Sequence, residues 1–282
     1  MIRRQQKGTN PSEVRNMATK YPTIAYRNGK RYFFRFSLVQ RIQHIILFSC
    51  VITLSLTGFP LRYHDQPWAE PLYNFFGGIE VAPWIHRGAG SILLALFVFH
   101  TGYWIYLFFT NRVAKLVREN RLTPGNLGRE FMAQEMIPNG RDGRDIVDMF
   151  KYLLYLSPNP PKYDRICWKE KFDYFAPYWG IPILGPAGLA LWLRDEVTQF
   201  MPGIVLNAFY IMHTDEALLA ALFLFFVHWY NVHYSPEKFP LGTVFLTGYL
   251  SEADMIHEHY AEYERTMQEE GLAHETKPQK HH

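Results

Sequence analysis

The chain has 282 residues, 48% of them apolar, and a formal net charge of only +3. Its two cysteines, Cys50 and Cys167, are too few to hold an iron–sulfur cluster, and without a CxxCH motif covalent c-type haem is not expected. The net charge itself says little; its distribution along the chain says more.

Residues 1–37 read as a basic arm. Four stretches then lack Asp, Glu, Lys and Arg: 42–61, 88–111, 174–193 and 217–236. Each is long enough to cross a hydrocarbon core of roughly 30 Å at about 1.5 Å per residue. The last extends backward through 203–214, interrupted only by Asp215 and Glu216. The first begins far from the N-terminus with no small-residue cleavage site behind it, so it is expected to span rather than to be removed. The expected fold class is an all-α integral membrane protein, a bundle of four transmembrane helices over 38–236.

Lys and Arg segregate: ten lie in 1–41, twelve in 112–172 and four after 236, with one or two in each remaining loop. The positive-inside rule then places both termini and the 112–173 loop on the cytoplasmic face, here called n, opposite face p. The third span carries Pro177, Pro182 and Pro186, which predict a kink, and Gly180, Gly185 and Gly188, which permit close approach. In the long loop, "LTPGNLG" and "SPNPP" read as breaks around a surface helix in "GRDIVDMFKYLLYLS". The tail, 237–282, is expected to be cytoplasmic, with an acidic helix over 251–270.

Histidines in a membrane span are expensive and so carry a functional hypothesis. His44 stands at the n end of the first span, His86 and His100 on the second, His213 and His228 on the fourth, and His233 at its n edge. At ~100° per residue, the 14 residues from His86 to His100 fall about 40° short of four turns, and the 15 from His213 to His228 pass four turns by about 60°. Each pair therefore lies on one helix face, about 21–22 Å apart along it. Two imidazole pairs at two depths suit two non-covalent b-type haems held by axial histidines. His86 with His213 would form the p-side pair and His100 with His228 the n-side pair. A zinc ion cannot be shared over such distances. Gly58, Gly88, Gly90 and Gly102 would leave room for porphyrin planes, and Arg87 and Arg41 could pair with propionates. His64, His257, His259, His274, His281 and His282 are expected to be solvated, and both cysteines inert.

With "IHRGAGSILLALFVFH" and "FYIMHT" through His228, the chain resembles the haem-carrying N-terminal half of cytochrome b of bc-type complexes. With "RFSLVQRIQHIILFSCVITLSLTGFPLRY", it also resembles the membrane cytochrome b subunit of formate dehydrogenases and nickel–iron hydrogenases. The first resemblance implies His100 with His228 on the n side; the second implies His44 with His228. The shared face of His86 and His100 favours His100, leaving His44 as an alternative ligand or a quinone-bonding group. A third haem between His44 and His233 is a further alternative. The chain lacks the C-terminal half of cytochrome b, and "YDRICWKEKFDYF" lacks the Asn and Gly of the dehydrogenase-type quinone site.

These resemblances imply a dihaem electron-transfer subunit of a respiratory complex in a prokaryotic cytoplasmic membrane, rather than a stand-alone enzyme. It would exchange electrons between quinone and a partner redox subunit, either an iron–sulfur protein or a multihaem cytochrome c. Its other partners are membrane lipids, and no nucleic acid is expected. Candidates for quinone contact or proton relay are His44, Lys169 and Asp173 on the n side and Asp215 and Glu216 on the p side. The competing reading is a His-lined proton or metal-ion transporter without haem. A cofactor-free anchor is disfavoured by the intact histidine pairs, and no GxGxxG motif or nucleotide domain supports a ferric-reductase-type enzyme.

Overall fold

The computed structural model describes residues 22–235, 238–239 and 241–278. The arm up to residue 21 and His281–His282 lie outside them.

The chain opens on a hairpin, β1 (Ile24–Arg27) and β2 (Lys30–Phe34). Asn28 and Gly29 take φ of 51° and 71°, the left-handed pair that a two-residue hairpin turn requires. Helix α1 (Leu38–Arg62) starts at a capping box between Ser37 and Gln40. A short α2 (Ala69–Phe75) leads into α3 (Gly78–Leu107). That helix continues through a widened π-type turn, Phe108–Val113, to Arg118. In the long loop lie α4 (Pro124–Met132) and α5 (Gly140–Leu153). Helix α6 (Trp168–Trp192) contains all three prolines, and α7 (Gly203–Phe223) continues as a π-type segment, Leu224–Tyr234.

Three of these helices, Leu38–Arg62, Gly78–Arg118 and Gly203–Tyr234, are long and apolar enough to cross a membrane, with mean hydropathies of 1.8, 1.9 and 1.5. Their most apolar stretches are nearly unburied by protein. Val98, Phe99, Ile204 and Phe226, among others, face outward. Such a surface would be prohibitive in water and is ordinary against lipid tails, so the chain is a multi-pass membrane protein. Helix α6 is as long as α1 but opens on Lys169, Glu170, Lys171 and Asp173. The helices pack as two close pairs, α1 along α3 and α6 along α7, which meet along α3–α6 and α1–α7.

The structure departs from several expectations. The protein is not purely helical: β2 pairs with β3 (Tyr249–Ser251), Tyr32 opposite Ser251 and Phe34 opposite Tyr249, so arm and tail share one antiparallel sheet. "LTPGNLG" does not simply break the chain; Thr123 caps α4 and Pro124 occupies its first turn, where a missing N–H costs nothing. The tail helix is two helices, α8 (Glu252–Glu258) and α9 (Tyr260–Glu269), and it is not a solvated acidic face. Phe33, Leu250, Met255, Ile256, Tyr260, Tyr263 and Met267 form the largest buried apolar cluster described, outside the long helices. The reason is the solvent. A cap in water must bury apolar area to fold, whereas helices in lipid need not.

His259 is likewise not solvated. It is 3% exposed, its Nδ1 donates to the Asp164 carbonyl (2.8 Å), and its Nε2 faces the Arg35 guanidinium (3.1 Å). Arg35 is itself buried against Glu262 (2.5 Å), which also holds Arg165 (2.7 Å). Burial, and then Arg35, push the His259 pKa down, so the ring stays neutral. His64, His257 and His274 are exposed, as expected.

Candidate functional site

Two pairs of imidazoles face each other across the bundle. The rings of His86 on α3 and His213 on α7 have centroids 6.2 Å apart. Those of His44 on α1 and His228 in the π-type extension of α7 are 6.4 Å apart. An imidazole nitrogen binds a metal at about 2 Å and lies about 1.1 Å from its ring centre, so two rings on one metal stand about 6 Å apart. Both separations match that requirement.

The nitrogens are oriented as well as spaced. The Thr57 hydroxyl donates to the Thr53 carbonyl (2.7 Å), so it accepts from His86 Nδ1 (2.9 Å). His213 Nδ1 donates to the Leu184 carbonyl (3.0 Å). His228 Nδ1 meets the Asp173 carboxylate (2.9 Å). In each ring the proton sits on Nδ1, which leaves the Nε2 lone pair for a metal. His44 differs: its Nδ1 is buried without a hydrogen-bond partner.

Two glycines make room for the p-side rings. A Cβ on Gly58 of α1 would lie 2.9 Å from His86 Cε1, and one on Gly188 of α6 would lie 2.8 Å from His213 Cε1. Each ring thus packs flush against the backbone of a neighbouring helix. Gly88 and Gly102 border open space instead.

His86 meets His213, the pair read from the sequence. His228 meets His44, while His100 is bonded elsewhere. That ring donates from Nδ1 to Gln43 Oε1 (2.7 Å), accepts at Nε2 from the Tyr174 hydroxyl (3.0 Å), and packs against Tyr174 and Tyr178. No described ring contact joins it to His228. The π-type segment explains the difference. At about 4.4 residues per turn a π-helix advances ~80° per residue, so the five residues from 224 to 228 turn His228 by about 90° relative to an α-helix. With that turn, the His228 ring stands opposite His44 of α1.

The remaining candidates fall in several places. The Arg87 guanidinium lies over Trp84 (5.0 Å) and Trp192 (5.3 Å), and Arg41 donates to the Leu246 carbonyl. Lys169 rests over Trp168 (5.9 Å), whereas Asp173 anchors His228. Asp215 pairs with Arg62 (2.9 Å). Glu216 lines a shallow groove with Ile183, Ile211, Met212 and Leu219. His233 is buried, and Phe245 packs against both His233 (5.1 Å) and His44 (6.0 Å). No described ring contact joins His233 and His44. Cys50 and Cys167 are both buried free thiols, and burial pushes the Cys167 pKa up to about 12, so it is a neutral thiol.

Thr57, Gln43, Tyr174 and Tyr178 escaped the sequence reading. The only signal for them is a polar side chain next to, or one turn from, a residue already singled out. No group of three or more His, Cys, Asp or Glu suited to a metal ion occurs among the described residues. Two facing imidazoles instead suit iron whose other ligands arrive with a porphyrin. No protein-family model matches this chain, and comparison with characterised proteins finds no similar sequence.

Proposed function

We propose that the chain is a dihaem cytochrome b subunit of a respiratory complex in a prokaryotic cytoplasmic membrane. On this reading it passes electrons across the bilayer between a quinone pool and a partner redox subunit. The observation that carries it is the pair of facing imidazole sets, each at metal-bridging separation, with Nδ1 of His86, His213 and His228 hydrogen-bonded so that Nε2 is left for a metal. His86 and His213 hold the p-side haem; His44 and His228 hold the n-side haem. Bound there, the haems supply one-electron carriage at two depths.

The protein's own residues do the rest. Thr57, the Leu184 carbonyl and Asp173 fix ring orientation and tautomer. Gly58 and Gly188 let the rings seat against the backbone. The Asp173 carboxylate accepts the His228 Nδ1 proton and holds the ring in place. In this reading α6 is also a span, the third in chain order, its charged first turn lying at the n face. The sheet shared by arm and tail supports an even number of crossings, because it holds both ends together. Propionate contacts from Arg41 and proton relay by Glu216 belong to the same proposal.

A pyridine haemochrome assay on protein purified in mild detergent tests it. Two b haems per chain are expected, falling to one in His44→Ala and in His86→Ala, and remaining two in His100→Ala. Folded protein without haem would overturn the reading and leave the His-lined transporter in its place.

A further inference from the structure

His100 is released from iron ligation in this geometry, yet it stands in a span on a continuous hydrogen-bonded chain. Its Nδ1 donates to Gln43 Oε1 (2.7 Å), so its Nε2 is an acceptor, filled by the Tyr174 hydroxyl (3.0 Å). The Tyr174 oxygen then accepts from the Tyr178 hydroxyl (3.4 Å). Both hydroxyl protons point toward His100, whose own Nδ1 proton points on to Gln43, and the Tyr178 oxygen at the outer end has no further hydrogen-bond partner among the described residues. Such a chain takes a proton in at Tyr178 and stores it as an imidazolium at His100.

The cluster is also tied to the n-side pair. Gln43 adjoins His44, and Tyr174 adjoins Asp173, which holds His228. The chain therefore lies at the depth of that pair. Beside it, Phe99, Tyr103 and Phe175 present exposed apolar surface on α3 and α6. A hydroxyl-bearing aromatic headgroup on a lipid tail could reach Tyr178 laterally from the acyl region.

We infer that Tyr178, Tyr174 and His100 form a proton-accepting site for a quinol headgroup beside the His44–His228 pair. The inference rests on the electron-carrying role proposed above. Oxidation of a quinol to the quinone releases two electrons and two protons. One proton passes from a quinol hydroxyl through Tyr178 and Tyr174 to His100, and the other leaves to water at the n face. The electrons leave one at a time through the carrier held by His44 and His228 to the partner redox subunit. Quinone reduction is the same sequence in reverse.

The test uses full-length haem-loaded protein with menadiol as the quinol, comparing wild type with Tyr178→Phe, Tyr174→Phe and His100→Gln. Three quantities are read: haems per chain, haem reduction by dithionite, and the stopped-flow rate of haem reduction by menadiol. Equilibrium binding of menaquinone-4, followed by tryptophan quenching, is the fourth. Expected are two haems and normal dithionite reduction in every variant, with menadiol-driven reduction slowed about 100-fold, the scale of a lost proton acceptor. Menaquinone-4 binding should weaken in Tyr178→Phe. Tyr178→Phe removes one oxygen and leaves the helix contacts, which separates chemistry from misfolding. Unchanged menadiol rates and binding would overturn the site while leaving the cytochrome reading intact. Loss of one haem in His100→Gln would show His100 to be a ligand and also overturn it. Absence of haem from the wild type would instead overturn the function on which it rests.

Discussion

Gly58→Ala offers a test of the p-side geometry in which fold and site separate. The added methyl would stand 2.9 Å from His86 Cε1 and 3.4 Å from its Nδ1. Ordinary carbon–carbon contact is about 3.5–4.0 Å, so the ring must retreat by about 0.6 Å or more. It cannot do so freely, because Nδ1 is bonded to Thr57, the residue before Gly58, and the other face of the site is His213. Overpacking a fixed ring costs about 1–3 kcal/mol, or about 5- to 150-fold in affinity for the haem proposed between His86 and His213. The same substitution removes a mid-helix glycine, which favours the helix by about 1 kcal/mol. Thermal unfolding of the apoprotein should therefore change little while haem binding falls. Gly188→Ala, at 2.8 Å from His213 Cε1, should behave alike, and Gly88→Ala, which meets nothing within 4 Å, should bind haem as wild type does. The assay is haem titration into apoprotein followed in the Soret band, with pyridine haemochrome for stoichiometry. Two haems bound by Gly58→Ala at wild-type affinity would refute the seating of His86 on this backbone.

Other predictions follow from single contacts. Thr57→Val leaves the His86 Nδ1–H without its acceptor, a loss of about 1–3 kcal/mol; p-side haem affinity should fall, and Thr57→Ser should restore it, a pattern that equal binding by all three would contradict. Asp173→Asn removes the anion behind His228 and should raise the n-side midpoint potential while the p-side value stays put, as read by redox titration. Glu262→Gln removes one of the two carboxylates on the buried Arg35, leaving Glu170 at 3.3 Å, and also loosens Arg165, which should destabilise the water-facing cap by about 1–3 kcal/mol. Faster proteolysis within 249–270, with haem content unchanged, is the expected readout. Because the His259 pKa is lowered by burial, the folded cap binds fewer protons than the unfolded chain near neutrality. Its contribution is full above about pH 6.5 and declines as pH falls below that. Hydrogen exchange over 252–269 should be faster at pH 5.5 than at pH 7.5, and equal protection would contradict the buried neutral ring.

Three of the four expected spans and the meeting of His86 with His213 were legible in the sequence because both rest on chain-local periodicity. A hydrocarbon core demands a set length without charge, and His86 and His213 lie on helix stretches that keep the α-period. The n-side pairing was not legible. It depends on eleven residues, Leu224–Tyr234, adopting π-type hydrogen bonding, and no residue type in "LFFVHWYNVHY" announces that change of period. That change of period alters the direction of His228 by about 90°, and its ring stands opposite His44.

Residue identity by itself determined that this chain enters a membrane and that its histidines are set there in pairs. Charge-free length and helical spacing require nothing beyond neighbouring residues. Only the tertiary structure decided which imidazoles meet, that Asp173 anchors His228, and that Gly58 and Gly188 are seats for rings. It alone decided, too, that arm and tail close into one buried cap around Tyr263 and His259. Those outcomes join residues from 25 to well over 200 positions apart, and packing, not local propensity, selects them.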